Sequence, residues 1–231
     1  MLISRSDRSK KAIWFWTIDR WIFSSFLILS SFGAFFIMAS GTKIATKLNF
    51  DNHFFTLRHF LFLLIGFVIV LILSNLNHKK IKILSIMGLI VSFILMLFTF
   101  TDGVTAKGAQ RWVYLLGQSI QPSEFTKPFF IIVNAWLLHL WKNNEDFKGW
   151  FWSILVVLPI IILLLLQPDI GMTLLIITTW GFQLFLTGLP FIILIFVIIS
   201  IPLILIFSYF NYEHVFYRIN NFLEGTTFQS L

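Results

Sequence analysis

Residues Lys107–Lys127 read KGAQRWVYLLGQSIQPSEFTK and form the only long polar-rich run in a chain that is otherwise largely apolar. Charged and aromatic side chains alternate in it: Lys107, Arg111, Trp112, Tyr114, Glu124 and Lys127. The residues that follow, 129–140, are apolar enough to enter a membrane. Charged side chains at membrane depth are energetically unfavourable and usually mark functional sites. This stretch is therefore the first candidate for a functional site.

The second half of the stretch predicts the start of a helix. Pro122 suits the first helical position, because an N–H group would have no partner there. Glu124 then occupies the third position, where a carboxylate meets free N–H groups and the helix dipole, and Gln121 is placed to cap the helix. Lys127 lies on the same face as Glu124, so the two can pair. Pro128 cannot donate to the carbonyl of Glu124, which predicts a locally weakened helix beside this pair.

The composition places the chain among membrane proteins. Of its 231 residues, 58% are hydrophobic, with 29 Phe and 9 Trp, and they are concentrated in runs. A soluble domain is only about half apolar. The net charge of +7 is typical of topology signals and of contacts with anionic headgroups. The basic residues form no single patch, which argues against nucleic acid as a partner. The chain has no cysteine, which excludes thiol chemistry.

Apolar runs of about 20 residues, the length that crosses a bilayer, predict seven transmembrane helices. Their predicted limits are 21–40, 60–76, 81–100, 122–141, 151–166, 171–187 and 189–210. The predicted fold class is an all-α, polytopic transmembrane helix bundle. We expect a single integral membrane domain over residues 1–231: a basic cytoplasmic segment at 1–20, seven spans within 21–210, and the start of a large, incomplete outer loop at 211–231. A cleaved signal peptide is a competing interpretation of the first span.

The distribution of basic residues predicts the orientation of the helices. If the N-terminus lies in the cytoplasm, ten of the 17 Lys and Arg residues fall in inner segments and seven in outer segments. This bias agrees with the positive-inside rule. The connectors at 101–121 and 167–169 then face away from the cytoplasm, as do the residues after 210.

The polar residues on this outer side support two interpretations. Lys107, Arg111 and Lys127 suit a phosphate or pyrophosphate group, because Arg offers a planar fork and Lys a compact charge. Alternatively, the cations contact lipid headgroups, and Glu124 with Lys127 is a structural pair. Asp169 is placed to cap the helix that follows it. A carboxylate at this depth also needs a partner, which would be Lys127 or Arg111.

Signatures of other chemistry are missing from the sequence. None of the five histidines has the spacing of a metal site. There is no Gly-rich phosphate loop and no nucleophile elbow. We therefore expect neither a metal nor a cofactor.

Three motifs resemble those of the SEDS proteins (shape, elongation, division and sporulation). The central stretch, extended to Pro128, reads KGAQRWVYLLGQSIQPSEFTKP and is similar to the family signature KGAxRWI…G…QPSEFxKP. Residues 163–190, LLLLQPDIGMTLLIITTWGFQLFLTGLP, resemble the family's QPDxGT/Q followed by an apolar span and a turn of small residues. Tyr217 to Leu223 resembles the YRxxRFL-like start of the family's large outer loop. The N-terminal SRSDRS…FWTIDRW is more similar to division-type members from alphaproteobacteria than to elongation-type members.

This resemblance implies a peptidoglycan glycosyltransferase. Such an enzyme polymerises lipid II, an undecaprenyl-pyrophosphoryl disaccharide peptide, into glycan strands during septal cell-wall synthesis. It works in the bacterial cytoplasmic (inner) membrane at the division septum, surrounded by membrane lipid. Its partners are a class B penicillin-binding protein and other divisome proteins. By the motif match, Arg111, Glu124 and Lys127 line the substrate cavity with Lys107 and Trp112, and Asp169 lies close by. Arg111 would face phosphate, and Glu124 would hold Lys127 in place.

The chain also differs from the family pattern. Members of the family have about ten spans, and their catalytic aspartate lies in an HTDF-like motif of the large outer loop. No residue of this chain matches that motif, so we expect the catalytic carboxylate to lie beyond Leu231 and assign no catalytic residue here. Two alternatives therefore remain. One is a lipid II flippase or transporter, which needs no catalytic carboxylate, and the other is a non-catalytic, truncated remnant.

Overall fold

The computed structural model describes residues 9–106, 109–115, 118–144, 146–188 and 191–223. Within these ranges the chain forms nine α-helices and three short β-strands. Their bounds, in chain order, are α1 Lys10–Thr17, α2 Arg20–Lys47, α3 Phe54–Ser74, α4 His78–Asp102, β1 Val104–Ala106, β2 Ala109–Leu115, β3 Gln118–Ile120, α5 Pro122–Asn143, α6 Gly149–Leu166, α7 Ile170–Leu186, α8 Phe191–Asn211 and α9 Glu213–Leu223.

The predicted helix bundle is confirmed, and each of the seven predicted spans coincides with one of the helices α2 to α8. That all seven cross the membrane stays a prediction. Helices α2, α3, α4 and α6 are long and apolar enough to cross a membrane. Helix α7 and the apolar part of α8 are shorter. The largest difference in limits is at the first hairpin, where α2 runs to Lys47 and α3 already begins at Phe54. The prediction of one integral membrane domain stays a prediction.

The connector between α4 and α5 contains a small sheet that the sequence analysis did not predict. Strand β2 pairs antiparallel with β1 on one side and with β3 on the other. Val113 in β2 faces Ile120, and Tyr114 faces Ser119. Strand β2 also contacts α5. The sheet therefore carries residues of the central motif to the beginning of α5.

The chain divides into two compact units, residues 1–81 and 82–231. In the first unit, Asp19 caps α2 by accepting hydrogen bonds from the backbone N–H groups of Trp21 and Ile22. The indole N–H of Trp14 in α1 donates to the hydroxyl of Ser74 at the end of α3, over 2.8 Å. Helices α2 and α3 pack together, and apart from Gly41 and Ala45 in α2 the side chains of this hairpin are largely exposed. Exposure of apolar side chains is the expected condition at a lipid-facing surface.

The second unit contains the packed core. Its buried hydrophobic cluster comprises Met96, Phe130, Val157, Ile160, Leu163, Leu164, Met172 and Ile176. These side chains come from α4, α5, α6 and α7, and α5, α6 and α7 pack against one another pairwise. The proline inside α5, Pro128, does not end that helix, which continues to Asn143. The core fixes where the first turns of α5 and α7 lie relative to each other.

Candidate functional site

The turn between α6 and α7 is the centre of the site. Gln167 ends α6, and its backbone N–H donates to the carbonyl of Leu163 over 2.9 Å. Asp169 precedes α7, and its backbone N–H donates to the carbonyl of Leu164 over 2.8 Å. Both residues are buried, at 2% and 6% exposed. The turn therefore places two polar side chains inside the bundle, where each needs a partner.

Asp169 makes three contacts with its carboxylate. One oxygen accepts a hydrogen bond from the backbone N–H of Met172 over 3.4 Å, which caps α7 as predicted. The same oxygen lies 3.4 Å from Nη1 of Arg111. The other oxygen accepts a hydrogen bond from Nε2 of Gln121 over 3.0 Å. The expectation that Asp169 has a cationic partner is confirmed, and that partner is Arg111.

Arg111 lies in β2 and is only partly exposed, with 23% of its side chain accessible. Its Nη2 donates to the carbonyl of Pro168 over 2.9 Å, so the same turn holds both ends of the guanidinium. Its Nε is buried and has no hydrogen-bond partner among the described residues. The distance to Asp169 is longer than the roughly 2.7–2.9 Å of a tight charge-assisted hydrogen bond. Arg111 is thus anchored but retains unused donors.

Glu124 and Lys127 form a second ion pair one turn into α5. Nζ of Lys127 lies 2.7 Å from Oε2 of Glu124, with side chains that are 23% and 52% exposed. Glu124 occupies the third helical position, as predicted. A rise of 1.5 Å per residue separates Lys127 from Gln121 by about 9 Å along the helix axis. Gln121 links Asp169 to the beginning of α5, where the second pair also lies, and within the described ranges no hydrogen bond or ion pair joins Arg111 to Lys127.

The two remaining predicted site residues are Trp112 and Lys107. Trp112 follows Arg111 in β2 and is half-buried. The pairing of β2 with β1 is irregular here: Trp112 faces Val104 and Gln110 faces Thr105, so Arg111 is an extra residue in β2. Lys107 lies outside the described residues. Substrate-binding roles for all of these side chains stay predictions.

The prediction that Gln121 caps α5 is wrong. Gln121 occupies the N-cap position, but its side chain makes no capping hydrogen bond. Its amide instead donates to Asp169, 48 residues further along the chain. The N-terminal end of a helix offers free N–H donors and no acceptor for an amide N–H, so the Nε2 group of Gln121 finds its partner in the carboxylate of Asp169. Gln121 thereby joins the beginning of α5 to the beginning of α7.

A second polar cluster, which the sequence analysis did not predict, lies deeper among α5, α6 and α7. Asn134 is fully buried, and its amide donates to Oε1 of Gln183 over 2.6 Å. The hydroxyl of Ser153 donates to Oδ1 of Asn134 over 2.5 Å and accepts from the indole N–H of Trp180 over 2.7 Å. Nε2 of Gln183 donates to the carbonyl of Ile131 over 2.9 Å. None of these side chains titrates, so we call this the neutral cluster.

Comparison with known proteins identifies the family. The family model for FtsW, RodA and SpoVE, described as "Cell cycle protein", matches residues 19–227. The chain belongs to this family. The "Probable peptidoglycan glycosyltransferase FtsW" of Caulobacter vibrioides is 32% identical to it over 223 residues, which cover 96% of this chain and 57% of that protein. The prediction of a SEDS protein of the division type, FtsW-like, is thereby confirmed. The chain spans 37–57% of the length of the first three curated relatives.

Solved structures confirm the fold. Thermus thermophilus rod shape determining protein RodA matches with a TM-score of 0.57 at 24% identity, over 81% of this chain and 64% of that one. A chain of a peptidoglycan synthase complex that coordinates polymerisation and crosslinking matches with a TM-score of 0.59 at 22% identity, over 85% of this chain and 60% of that one. The protein is accordingly a multi-pass membrane protein with the SEDS helix bundle. Among the described residues, no group of three or more His, Asp or Glu side chains could hold a metal ion.

Proposed function

We propose that this chain forms part of a peptidoglycan glycosyltransferase that polymerises lipid II during septal cell-wall synthesis. Family membership and the names of the curated relatives support this proposal. In the proposed reaction, a sugar hydroxyl of one substrate attacks the anomeric carbon of another, and undecaprenyl pyrophosphate leaves. The residues described above would bind that pyrophosphate group.

The proposal rests on one observation: Arg111 has hydrogen-bond donors that the described part of the chain does not use. A guanidinium has five N–H donors in a planar fork that matches phosphate oxygens. Here one nitrogen donates to Pro168, another contacts Asp169 at a long distance, and Nε has no partner in the described part of the chain. A buried donor without a partner is unfavourable by about 1–3 kcal/mol. A phosphate oxygen that displaced the groups covering Nε would remove that penalty.

The other charged groups would assist. Lys127 is held by Glu124 at the beginning of α5 and would meet a second phosphate oxygen. Cations that are already in place stabilise the charge of a departing pyrophosphate without reorganising during the reaction. The reaction also needs a group that accepts the proton of the attacking hydroxyl. Glu124 and Asp169 each hold a cation, so we assign them to positioning and assign proton transfer to neither.

The proposed setting is the bacterial cytoplasmic membrane at the division septum, with the N-terminus in the cytoplasm. A class B penicillin-binding protein and other divisome proteins are the proposed partners. The fold match to a chain of a peptidoglycan synthase complex supports an assembly of this kind. The apolar side chains exposed on α2 and α3 are suited to membrane lipid.

The test is binding of pyrophosphate lipids to the 231-residue chain in lipid nanodiscs. Lipid II and undecaprenyl pyrophosphate are compared with undecaprenyl phosphate. We expect Arg111→Ala to weaken the binding of both pyrophosphate lipids about ten- to hundredfold, because hydrogen bonds to charged groups contribute about 1.5–3 kcal/mol. Lys142→Ala is the matched control, since it removes the same charge from the exposed last turn of α5. Equal binding by the wild type and Arg111→Ala would contradict the proposal.

A second measurement separates polymerisation from transport. The chain is combined in liposomes with the matching class B transpeptidase and with a separately produced C-terminal piece of a close relative, which supplies the HTDF-like motif. Both glycan strands and lipid II movement across the bilayer are measured. Strands that depend on Arg111 support the glycosyltransferase. Movement of lipid II that depends on Arg111, without strands, would favour the transporter instead.

A further inference from the structure

Gln167 is the least exposed polar residue of the turn between α6 and α7, and its side-chain amide donates to another helix. Its Nε2 donates to the hydroxyl of Thr99 over 2.6 Å and to the carbonyl of Met96 over 3.0 Å. Both acceptors belong to α4, about 70 residues earlier in the chain. The two N–H groups of this amide are thus fully used, and they connect the turn to a different helix.

The acceptors are themselves fixed. The hydroxyl of Thr99 donates to the carbonyl of Met96 over 2.6 Å, which leaves its lone pairs free to accept from Gln167. Both residues are 0% exposed. A buried amide that lost these partners would carry unpaired donors in a low-dielectric environment, which is unfavourable. The contact between Gln167 and α4 therefore restrains this turn.

The next two residues of the turn are those that hold Arg111. Pro168 accepts from Nη2 through its carbonyl, and Asp169 contacts Nη1 through its carboxylate. A change in the position of Gln167 would displace both acceptors together, because they follow it directly in the backbone. A misplacement of about 1 Å in a binding group is enough to change function strongly.

We propose that Gln167 is a positioning residue: it anchors the turn to α4 and thereby places Pro168 and Asp169 so that Arg111 is presented to the pyrophosphate. The identity of the ligand rests on the proposed function, whereas the anchoring itself does not. Gln167 is not expected to touch the ligand. It would act through the turn alone.

The neutral cluster supplies the comparison that separates positioning from stability. Asn134 is also a fully buried amide with partners on other helices. Its partner Gln183 lies 13 residues beyond Ile170, which is about 20 Å along α7 from the turn. Removing either amide should destabilise the bundle, but only the loss of Gln167 should disturb Arg111.

The experiment compares Gln167→Met with Asn134→Leu in the 231-residue chain in nanodiscs. Thermal stability is measured first, and then the dissociation constant for undecaprenyl pyrophosphate and the hydrogen exchange of the backbone amides of β2. We expect both variants to lose stability, whereas only Gln167→Met weakens binding, about tenfold, and accelerates exchange in β2. Equal effects of the two variants on binding and on exchange would overturn the proposal.

Two further variants keep the proposal testable if Gln167→Met does not fold. Thr99→Val removes one acceptor of Gln167 and should reproduce part of the loss in binding, whereas Thr99→Ser keeps the hydroxyl and should restore it.

In an Arg111→Ala background, Gln167→Met should not weaken binding further. A full additional loss there would show that Gln167 does not act through Arg111, and would overturn the proposal.

The exchange measurement separates this inference from the proposed function. If Arg111→Ala binds undecaprenyl pyrophosphate as the wild type does, the proposed role of Arg111 is wrong. Faster exchange in β2 of Gln167→Met would still support the anchoring of the turn. If β2 is unchanged while Arg111→Ala loses binding, the ligand assignment stands and the positioning role of Gln167 is wrong.

Discussion

Asp169 offers the sharpest test of how the site is held together, because Asn can replace one of its functions but not the others. Asp169→Asn keeps an oxygen that can cap α7 through Met172, since Asn is as good a capping residue as Asp. It removes the charge that pairs with Arg111. Asp169→Ala removes the cap, the ion pair and the acceptor of Gln121 together.

The contacts give the expected magnitudes. Loss of a cap costs about 1 kcal/mol. Breaking a buried ion pair costs about 3–5 kcal/mol, but the Arg111 side chain is 23% exposed, so water should reduce this to about 2–3 kcal/mol. We therefore expect the free energy of unfolding to fall by about 2–3 kcal/mol in Asp169→Asn and by about 1 kcal/mol more in Asp169→Ala.

The assay is unfolding by sodium dodecyl sulfate titrated into dodecyl maltoside micelles, followed by circular dichroism. A third variant, Arg111→Met with Asp169→Asn, removes both partners of the ion pair. It should cost less than the sum of the two single variants, because no uncompensated charge remains. If the double variant instead loses the full sum, the two residues are not coupled and the reasoning is refuted.

Four further substitutions are predicted for the same unfolding assay. Gly149→Ala should lose about 1–3 kcal/mol, because its Cβ would collide with the carbonyl of Leu137. Gly171→Ala, whose Cβ meets nothing within 4 Å, should be neutral or stabilising by up to about 1 kcal/mol, and equal losses would contradict this account. Asn134→Leu should lose about 0.6–3 kcal/mol. Unchanged stability would contradict a stabilising role of the neutral cluster. Lys127→Ala should change stability by less than about 0.5 kcal/mol, because Glu124 is 52% exposed and pairs three residues apart on a helix contribute little. It should nevertheless weaken pyrophosphate binding in nanodiscs; a large loss of stability would show a structural role instead.

The sequence was sufficient to predict the helices and the start of α5. Long apolar runs have few alternatives to transmembrane helices, and each predicted span coincides with a helix. Pro122 and Glu124 occupy the predicted positions because these preferences depend only on the local backbone. The capping of α7 by Asp169 was predictable for the same reason.

The sequence was not sufficient where partners are distant. Gln121 could cap its own helix or bond to another element, and only the packing of α5 against α7 brings the carboxylate of Asp169 within 3.0 Å. The neutral cluster depends in the same way on Asn134 and Gln183, which are 49 residues apart. The small sheet, in contrast, left a signal: β2 contains β-branched and aromatic residues, and the two residues between it and β3 include a glycine. Its strands are short, and the polar character of the connector obscured them.

The arrangement of charges limits how the site can recognise an anion. Arg111 and Lys127 are matched by Asp169 and Glu124, so these four groups carry no net charge. Attraction by excess positive charge therefore cannot be the basis of recognition by this group of side chains. What remains is the geometry of donors that the protein leaves unused, above all Nε of Arg111. Such recognition requires that the guanidinium stay fixed, because a mobile one would satisfy its donors elsewhere. The turn of Gln167, Pro168 and Asp169 supplies this fixity, with its first residue bound to α4 and the other two bound to Arg111.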